Sequence, residues 1–457
     1  MGDIVADVGD LFWKLELAAH AAQSHKLAGR RQSLIANAAQ QLLASLLALG
    51  MLMWLALRHR GTPSAEAHRI LSKTTTVFAA HGEDTTRTRH LRHALATSGA
   101  APRTVLMLGR PSCSVGAAAK RFDPAATING ATFLRPLDLT SVIVSLPRAV
   151  AELLRGFAEV RRYRLPLPLR DRIAIAFRVA LGIAHAQWWR SAAGGLEISC
   201  AIFAHTGNSD TSRLEQAMQA QGTRTIHVVH GTNIGWSFAG LSDLAVFQTG
   251  ADARLGTGLP GYGRCIHLPI EKPEPACQTG DWALLTSYTH LQNSAYRENG
   301  AQADCDLVEW VRKAAILMGQ DPKRIFWRPH PQIDLVATRE RERLKAAIAQ
   351  AGFSLWPQGL PYQAIGKFAV AVTTPSTALT DGLRLGQPVI VASVTPLQRD
   401  LLYSRYPLLA EDEAALAQLI ARVLDPQHRE RAFAEAWQAI EPGAPPDIAR
   451  LLAINPV

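Results

Sequence analysis

Cysteine is scarce in this chain and never closely paired. Cys113, Cys200, Cys265, Cys277 and Cys305 are odd in number and far apart. With no CxxC spacing there is neither a zinc knuckle nor a disulfide framework to read, and the pattern suits a reducing compartment. Acidic charge is also short, since 38 carboxylates face 48 Lys and Arg, a net +10. That balance points to an anionic partner: nucleic acid, anionic lipid or a phosphorylated substrate. Aromatic residues make up only 7% of the chain and do not interleave with basic ones, so nucleic acid is not expected. No internal repeat or low-complexity tract is present. The opening MGDIVADVGDLFWKLE lacks a short apolar core before a cleavage site, so no secretory signal is expected. No metal cluster is visible either, and metal-independent chemistry without a cofactor is expected.

What is present is a long alternation of two patterns. The 457 residues are 48% hydrophobic, enough for two α/β domains and an appendage. Residues 1–70 read as helical. Short β-rich runs follow at 75–80 (TTVFAA), 104–108 (TVLML), 141–145 (SVIVS), 198–204 (ISCAIFA), 225–229 (TIHVV) and 244–247 (LAVF). The stretch PEPACQTG, 273–280, reads as a linker. A second series runs through 282–286 (WALLT), 325–327 (IFW), 368–372 (FAVAV) and 388–392 (PVIVA), with helices between. Strands separated by helical stretches imply parallel sheets with crossovers. The expected fold is α/β, two Rossmann-like doubly wound domains facing a cleft, with a helical N-terminal appendage. Its parts are a helical segment 1–70, a Rossmann-like acceptor domain 71–275, a Rossmann-like nucleotide-donor domain 281–425 and a helical tail 426–457, which would pack back across the first half. In such sheets ligands bind beyond the carboxyl ends of the strands, and the polar clusters of this chain sit there.

The clearest cluster is TTPSTALTDGLRLG at 373–386. A buried strand ends in hydroxyls and a helix begins at once. Ser376 or Thr377 would cap that helix, whose first amides suit a phosphate, with Thr374 beside them. The bland alternative is a plain cap with no ligand. The second cluster is Arg328-Pro329-His330-Pro331. Two prolines fix the backbone around an imidazole that can bond or protonate a leaving phosphate, and Arg328 adds a fitting charge. A solvent-exposed turn histidine is the alternative. The third is His230-Gly231, after TIHVV, where a histidine can serve as general base on an acceptor hydroxyl. Asp210 and Asp243 are other candidates for that base, and Asp210 equally suits a helix cap. The run GTGLPG at 256–261 matches a dinucleotide fingerprint, but Pro260 stands where the helix would start, and a loop is expected.

HVVHG, then DLAVFQTG, IFWRPHPQ and TTPSTALTDGLRLGQPVIV, in that order, resemble GT-B glycosyltransferases that use cytidine-nucleotide donors. Bacterial capsule transferases of the Kdo and sialic acid type, and CDP-glycerol glycerophosphotransferases, are similar at the same places. The resemblance covers about residues 195–410. It implies a CMP- or CDP-linked donor as substrate, with His330 on its phosphate, Ser376 and Thr377 on phosphate or ribose, and His230 near the reaction centre. Where many retaining enzymes carry a glutamate, this chain has Asp381, which favours inversion or phosphotransfer. The implied acceptor is a surface polysaccharide or lipid-linked primer at the inner membrane. A nucleotide-sugar 2-epimerase of the same fold, or a non-catalytic glycan-assembly protein, are the alternatives.

Two features bear on a membrane. LLASLLALGMLMWLAL, 42–57, carries no charge, and Lys26, Arg30, Arg31, Arg58 and Arg60 flank it. Extended to 38 it reaches the length of a spanning helix, although a buried core helix fits too. Arginines crowd the stretch 148–172 with Leu153, Leu154, Phe157 and Val160 at helical spacing, as in a basic amphipathic helix suited to a membrane surface. The expected location is cytoplasmic, peripheral to or anchored in the inner membrane.

Overall fold

A computed structural model describes residues 34–58, 61–81, 103–108, 131–163, 169–204, 209–229, 241–258, 263–275, 280–287, 300–330, 333, 338–357, 360, 362–394, 405–444 and 451. Two parallel sheets organise it. The first has seven strands: β1 (Thr76–His81), β2 (Arg103–Leu108), β3 (Ala131–Leu134), β4 (Cys200–Phe203), β5 (Arg224–Val228), β6 (Leu244–Phe247) and β7 (Arg264–His267). Their spatial order is β3-β2-β1-β4-β5-β6-β7. The second has six: β8 (Trp282–Leu285), β9 (Ile325–Arg328), β10 (Ser354–Leu355), β11 (Val370–Thr373), β12 (Val389–Ala392) and β13 (Leu409–Ala410), in the order β10-β9-β8-β11-β12-β13. Renumbered from its own first strand, the second sheet also reads 3-2-1-4-5-6. Both halves are therefore doubly wound, each with a switch point beside its first strand.

Burial explains why these short runs are strands. In β1, Val77 and Ala79 enter one core while Phe78 and Ala80 enter another, so both faces of the sheet are covered. One face packs on α2 (Ser64–Leu71), α4 (Leu169–Ala193) and α5 (Ser209–Gln219). A strand buried on both sides cannot alternate polar and apolar residues, which is why VFAA and LAVF read as continuous apolar runs. With one another, α1 (Leu34–Arg58), α3 (Leu139–Tyr163) and α4 form a helical layer with its own core.

Two expectations need correction here. Residues 141–145 are not a strand, because they lie inside α3. Asp138 accepts the Ser141 amide at 2.6 Å and holds Ser64 through its amide and hydroxyl at 2.9 and 2.7 Å. That cap, and the burial of Ser141, Val142, Ser145 and Ala149 on one helical face, outweighs the β-branched run. The basic stretch 148–172 is not one helix either. It is divided between α3 and α4, and Arg172 is buried, donating to Gln41 and to Asn37 of α1.

The first half also holds α6 (Gly250–Thr257), between β6 and β7, and the second half adds α7 (Gly300–Leu317), α8 (Thr338–Ala351), α9 (Ala378–Arg384), α10 (Glu413–Leu424) and α11 (Pro426–Ile440). The tail does return to the first half. Phe433, Ala436 and Ile440 of α11 belong to the core of the second sheet, whereas Ala444 and Leu451 pack on that of the first. The crossing is at Glu441, in the left-handed region at φ 52°. From there Pro442 bridges Thr249 and Gly443 bridges Pro269. The Gly443 amide donates to Gln248 at 2.7 Å and that of Ala444 to Leu268 at 2.6 Å. A Cβ on Gly443 would stand 2.8 Å from the Leu268 carbonyl, so only glycine fits.

His227 in β5 shows the cost of this burial. Desolvation pushes its imidazole down to about 3, so it folds neutral. The unfolded chain takes up that proton below its ordinary value near 6.5, and the native state does not until about 3. Stability is therefore retained above pH 6.5 and lost as pH falls through this window, by about 1.4 kcal/mol per pH unit. Denaturant melts between pH 7 and 5 should show this loss, and His227→Gln should flatten it.

Candidate functional site

The carboxyl ends of β8, β9 and β11 lie side by side, because β8 pairs parallel with both neighbours. Leu285 is in register with Arg328 on one side and with Thr373 on the other. Residues just past 328 and 373 thus emerge at the same edge, two strand spacings apart, about 10 Å. His330 and Ser376 are both half-buried at that edge. Between them β8 contributes Thr286 and Ser287, residues the sequence reading passed over. Their signal was visible, in that the apolar run WALL ends in two hydroxyls at the switch point of its sheet.

Hydrogen bonds hold this edge. Ser287 Oγ and Thr374 Oγ1 share a short bond across the switch point. Thr286 Oγ1 accepts from Trp327 Nε1 at 2.9 Å, joining β8 to β9. Thr373 Oγ1 lies 3.1 Å from Ser376 Oγ, which accepts the Ala378 amide at 3.2 Å. Ser376 is thus the residue that meets the start of α9. Thr377 stands at the cap position, helical at φ −62°, and makes no capping bond through its side chain. Thr374 is fully buried, so its hydroxyl fastens the floor of the edge. The Arg328 guanidinium lies 5.2 Å from the ring centroid of Trp356, on the β10 flank. The backbone after His330 is held by its carbonyl, which accepts the Ile333 amide at 2.9 Å.

The first half is less complete. His230 lies outside the described residues. Asp210 falls in the first turn of α5, with its side chain outside them. Asp243 stands away from the carboxyl edge. It precedes β6, at the amino edge of the sheet, and its carboxylate accepts the Thr225 amide at 2.8 Å and hydroxyl at 3.1 Å. Asp381 pairs with Arg384 at 3.4 Å, and Arg384 reaches Gly443 O at 2.8 Å, tying α9 to the crossing segment. GTGLPG does not open a phosphate-binding helix, since Gly256 and Thr257 end α6 and Gly258 caps its C-terminus. Burial holds the Cys265 and Cys305 thiols up at about 11 and that of Cys200 at about 12, so none of these is a nucleophile near neutral pH.

No protein-family description and no curated protein matches this chain. Several solved structures are similar over most of their length. One is a UDP-N-acetylglucosamine 2-epimerase, at 11% identity and a TM-score of 0.42, covering 80% of this chain and 91% of that one. Another is an α,α-trehalose-phosphate synthase (UDP-forming) from Burkholderia vietnamiensis, at 14% identity and a TM-score of 0.43, covering 80% and 93%. A third is a UDP-glucosyltransferase from Polygonum tinctorium, at 9% identity and a TM-score of 0.38, covering 80% and 93%. Likeness at this level does not identify the chain, whose seven- and six-stranded sheets rest on their own strand pairing.

Proposed function

We propose that this chain is a GT-B-type transferase that moves a group from a nucleotide-activated donor to an acceptor hydroxyl. The observation that carries the reading is that Thr286, Ser287, Thr373, Ser376 and His330 all lie at the carboxyl edge of three adjacent strands, β9, β8 and β11, beside the switch point of the second sheet. An open α/β sheet binds its ligand at such a point, and hydroxyls with an imidazole suit a phosphate. In the reaction an acceptor oxygen bonds to the transferred group and the bond to the donor phosphate breaks. His330 donates to the leaving phosphate as its charge develops, and Ser376 holds the phosphate or ribose. Arg328 adds positive potential nearby. His230 or Asp210 takes the acceptor proton. The donor is CMP- or CDP-linked, by the resemblance of the motifs, and the acceptor is a surface glycan or its lipid-linked primer.

A thermal-shift series with CMP, CDP, UDP and GDP tests this. A nucleotide that binds the native state at 100 times its dissociation constant adds about 2.7 kcal/mol, a rise of a few degrees in melting temperature. A response to CMP or CDP above the others supports the cytidine reading, and a preference for UDP or GDP removes it. If no nucleotide shifts the melt, the transferase reading falls. Consumption of a sugar nucleotide without any acceptor makes the chain an epimerase, and binding without turnover makes it an assembly protein.

A further inference from the structure

Helix α1 is apolar on both its buried and its exposed face. Its polar residues Asn37, Gln41 and Ser45 face the protein, where Asn37 and Gln41 hold the buried Arg172 of α4. Its opposite face carries Leu42, Leu43, Leu46, Leu47, Trp54 and Leu57, each between 43% and 62% exposed. At 100° per residue these fall on one arc, and from Ala39 to Leu57 that arc runs about 27 Å. A soluble surface helix carries polar residues on its exposed face, and α1 does not. A groove of about 360 Å³ opens along it between Leu46, Trp54 and Phe177 of α4.

The neighbouring α3, which packs on α1, repeats the arrangement. Ile143, Val144, Val150 and Leu154 are exposed on one arc, while Val142, Ala149 and Leu153 are buried on the other. Between the two arcs stand Arg148 and Arg155, both exposed. At the end of α1, the Arg58 guanidinium lies 5.0 Å from the ring centroid of Trp54. An apolar face edged by arginines and a tryptophan matches the headgroup boundary of a bilayer.

We propose that α1 and α3 dock this protein on a lipid bilayer bearing anionic headgroups, with α1 lying in the membrane plane. By length and composition Asn37–Arg58 is also apolar enough to cross. Its packing decides between the two orientations. α1 is fixed along Ala44, Ala48, Leu52 and Leu55 to a helical layer that includes the buried Arg172 and His185 of α4. A spanning α1 would drag those groups into hydrocarbon, at high cost. The proposal does not depend on the nucleotide reading.

Flotation of the full-length protein tests it. Vesicles of phosphatidylcholine mixed with phosphatidylglycerol should carry the protein, and neutral phosphatidylcholine vesicles should carry less. Leu43→Glu with Leu46→Glu should lower partition at least about tenfold without changing the melt, as both side chains face outward. Arg148→Gln with Arg155→Gln should lower binding to the anionic vesicles about tenfold and leave binding to neutral vesicles unchanged. Alkaline carbonate should release the protein. Absence of vesicle binding by the folded protein overturns the proposal, as does unchanged binding by the glutamate variant. A lipid-free dimer that the glutamate variant abolishes would assign the face to a second copy. Retention through carbonate would make α1 a spanning helix.

Discussion

Replacing His330 with alanine is expected to slow group transfer about 100- to 1,000-fold, the usual consequence of removing one preorganised donor to developing charge. The residue sits just past β9 between two prolines, and its carbonyl is tied to Ile333. The bond to Ile333 is made by the backbone carbonyl and survives the substitution, and a thermal melt of the variant checks that the fold is kept. The loss should fall on kcat, because the hydrogen bond strengthens only as the phosphate leaves. Nucleotide-induced stabilisation should shrink in the same variant. His330→Asn, which retains a donor, should recover part of the rate. Unchanged turnover in His330→Ala would remove the imidazole from the mechanism. Unchanged nucleotide binding would remove it from the site.

The largest effect on stability is expected at Arg429. This side chain is buried in α11, donating from Nη1 to Ala369 O at 2.5 Å and from Nη2 to Gln387 Oε1 at 2.8 Å. Ala369 leads into β11 and Gln387 precedes β12, so one guanidinium ties the amino ends of two central strands to the C-terminal helix. A further contact at 3.4 Å reaches the Val423 carbonyl in the last turn of α10, where the helix dipole favours a cation. Burial pushes the guanidinium down to about 10, so it stays charged through the neutral range. Arg429→Ala leaves buried acceptors unpaired, at about 1–3 kcal/mol each, and opens a cavity. The expected loss is about 3–5 kcal/mol, read as a lower denaturant midpoint for the second domain. Arg429→Met, which fills the space, should lose less. Because the group does not titrate there, the loss should be equal at pH 6 and pH 8.

Much of the second half was legible because its strands are buried on both faces. WALL, IFW, FAVAV and PVIVA appear as uninterrupted apolar runs, and the polar residues that follow mark the edge where ligands bind. Edge strands lack that signal. ATFL of β3 and RCIH of β7 are short and partly exposed, and the two-residue strands β10 and β13 fall below any periodicity. SVIVS misled in the other direction, since its β-branched residues say less than the aspartate three positions before it. Among candidate site residues, position relative to the strand was the discriminating information. His330 and Ser376 follow strands and reach the same edge. Asp243 comes before one, which already placed it at the opposite edge from a ligand. Which of Ser376 and Thr377 meets the helix start depends on a single φ/ψ choice at Thr377, and composition does not encode that choice.

The crossing at Glu441 has a mechanical meaning. The two halves are joined twice, by the stretch that leaves β7 and by the returning segment 441–444, and these run side by side where Gly443 meets Pro269. Arg254 grips Glu441 at 2.8 Å, and Arg384 reaches the Gly443 carbonyl from the far half. Any relative rotation of the halves that keeps both connections intact must turn about this shared line, and cutting the chain after Ile440 would leave a lone tether.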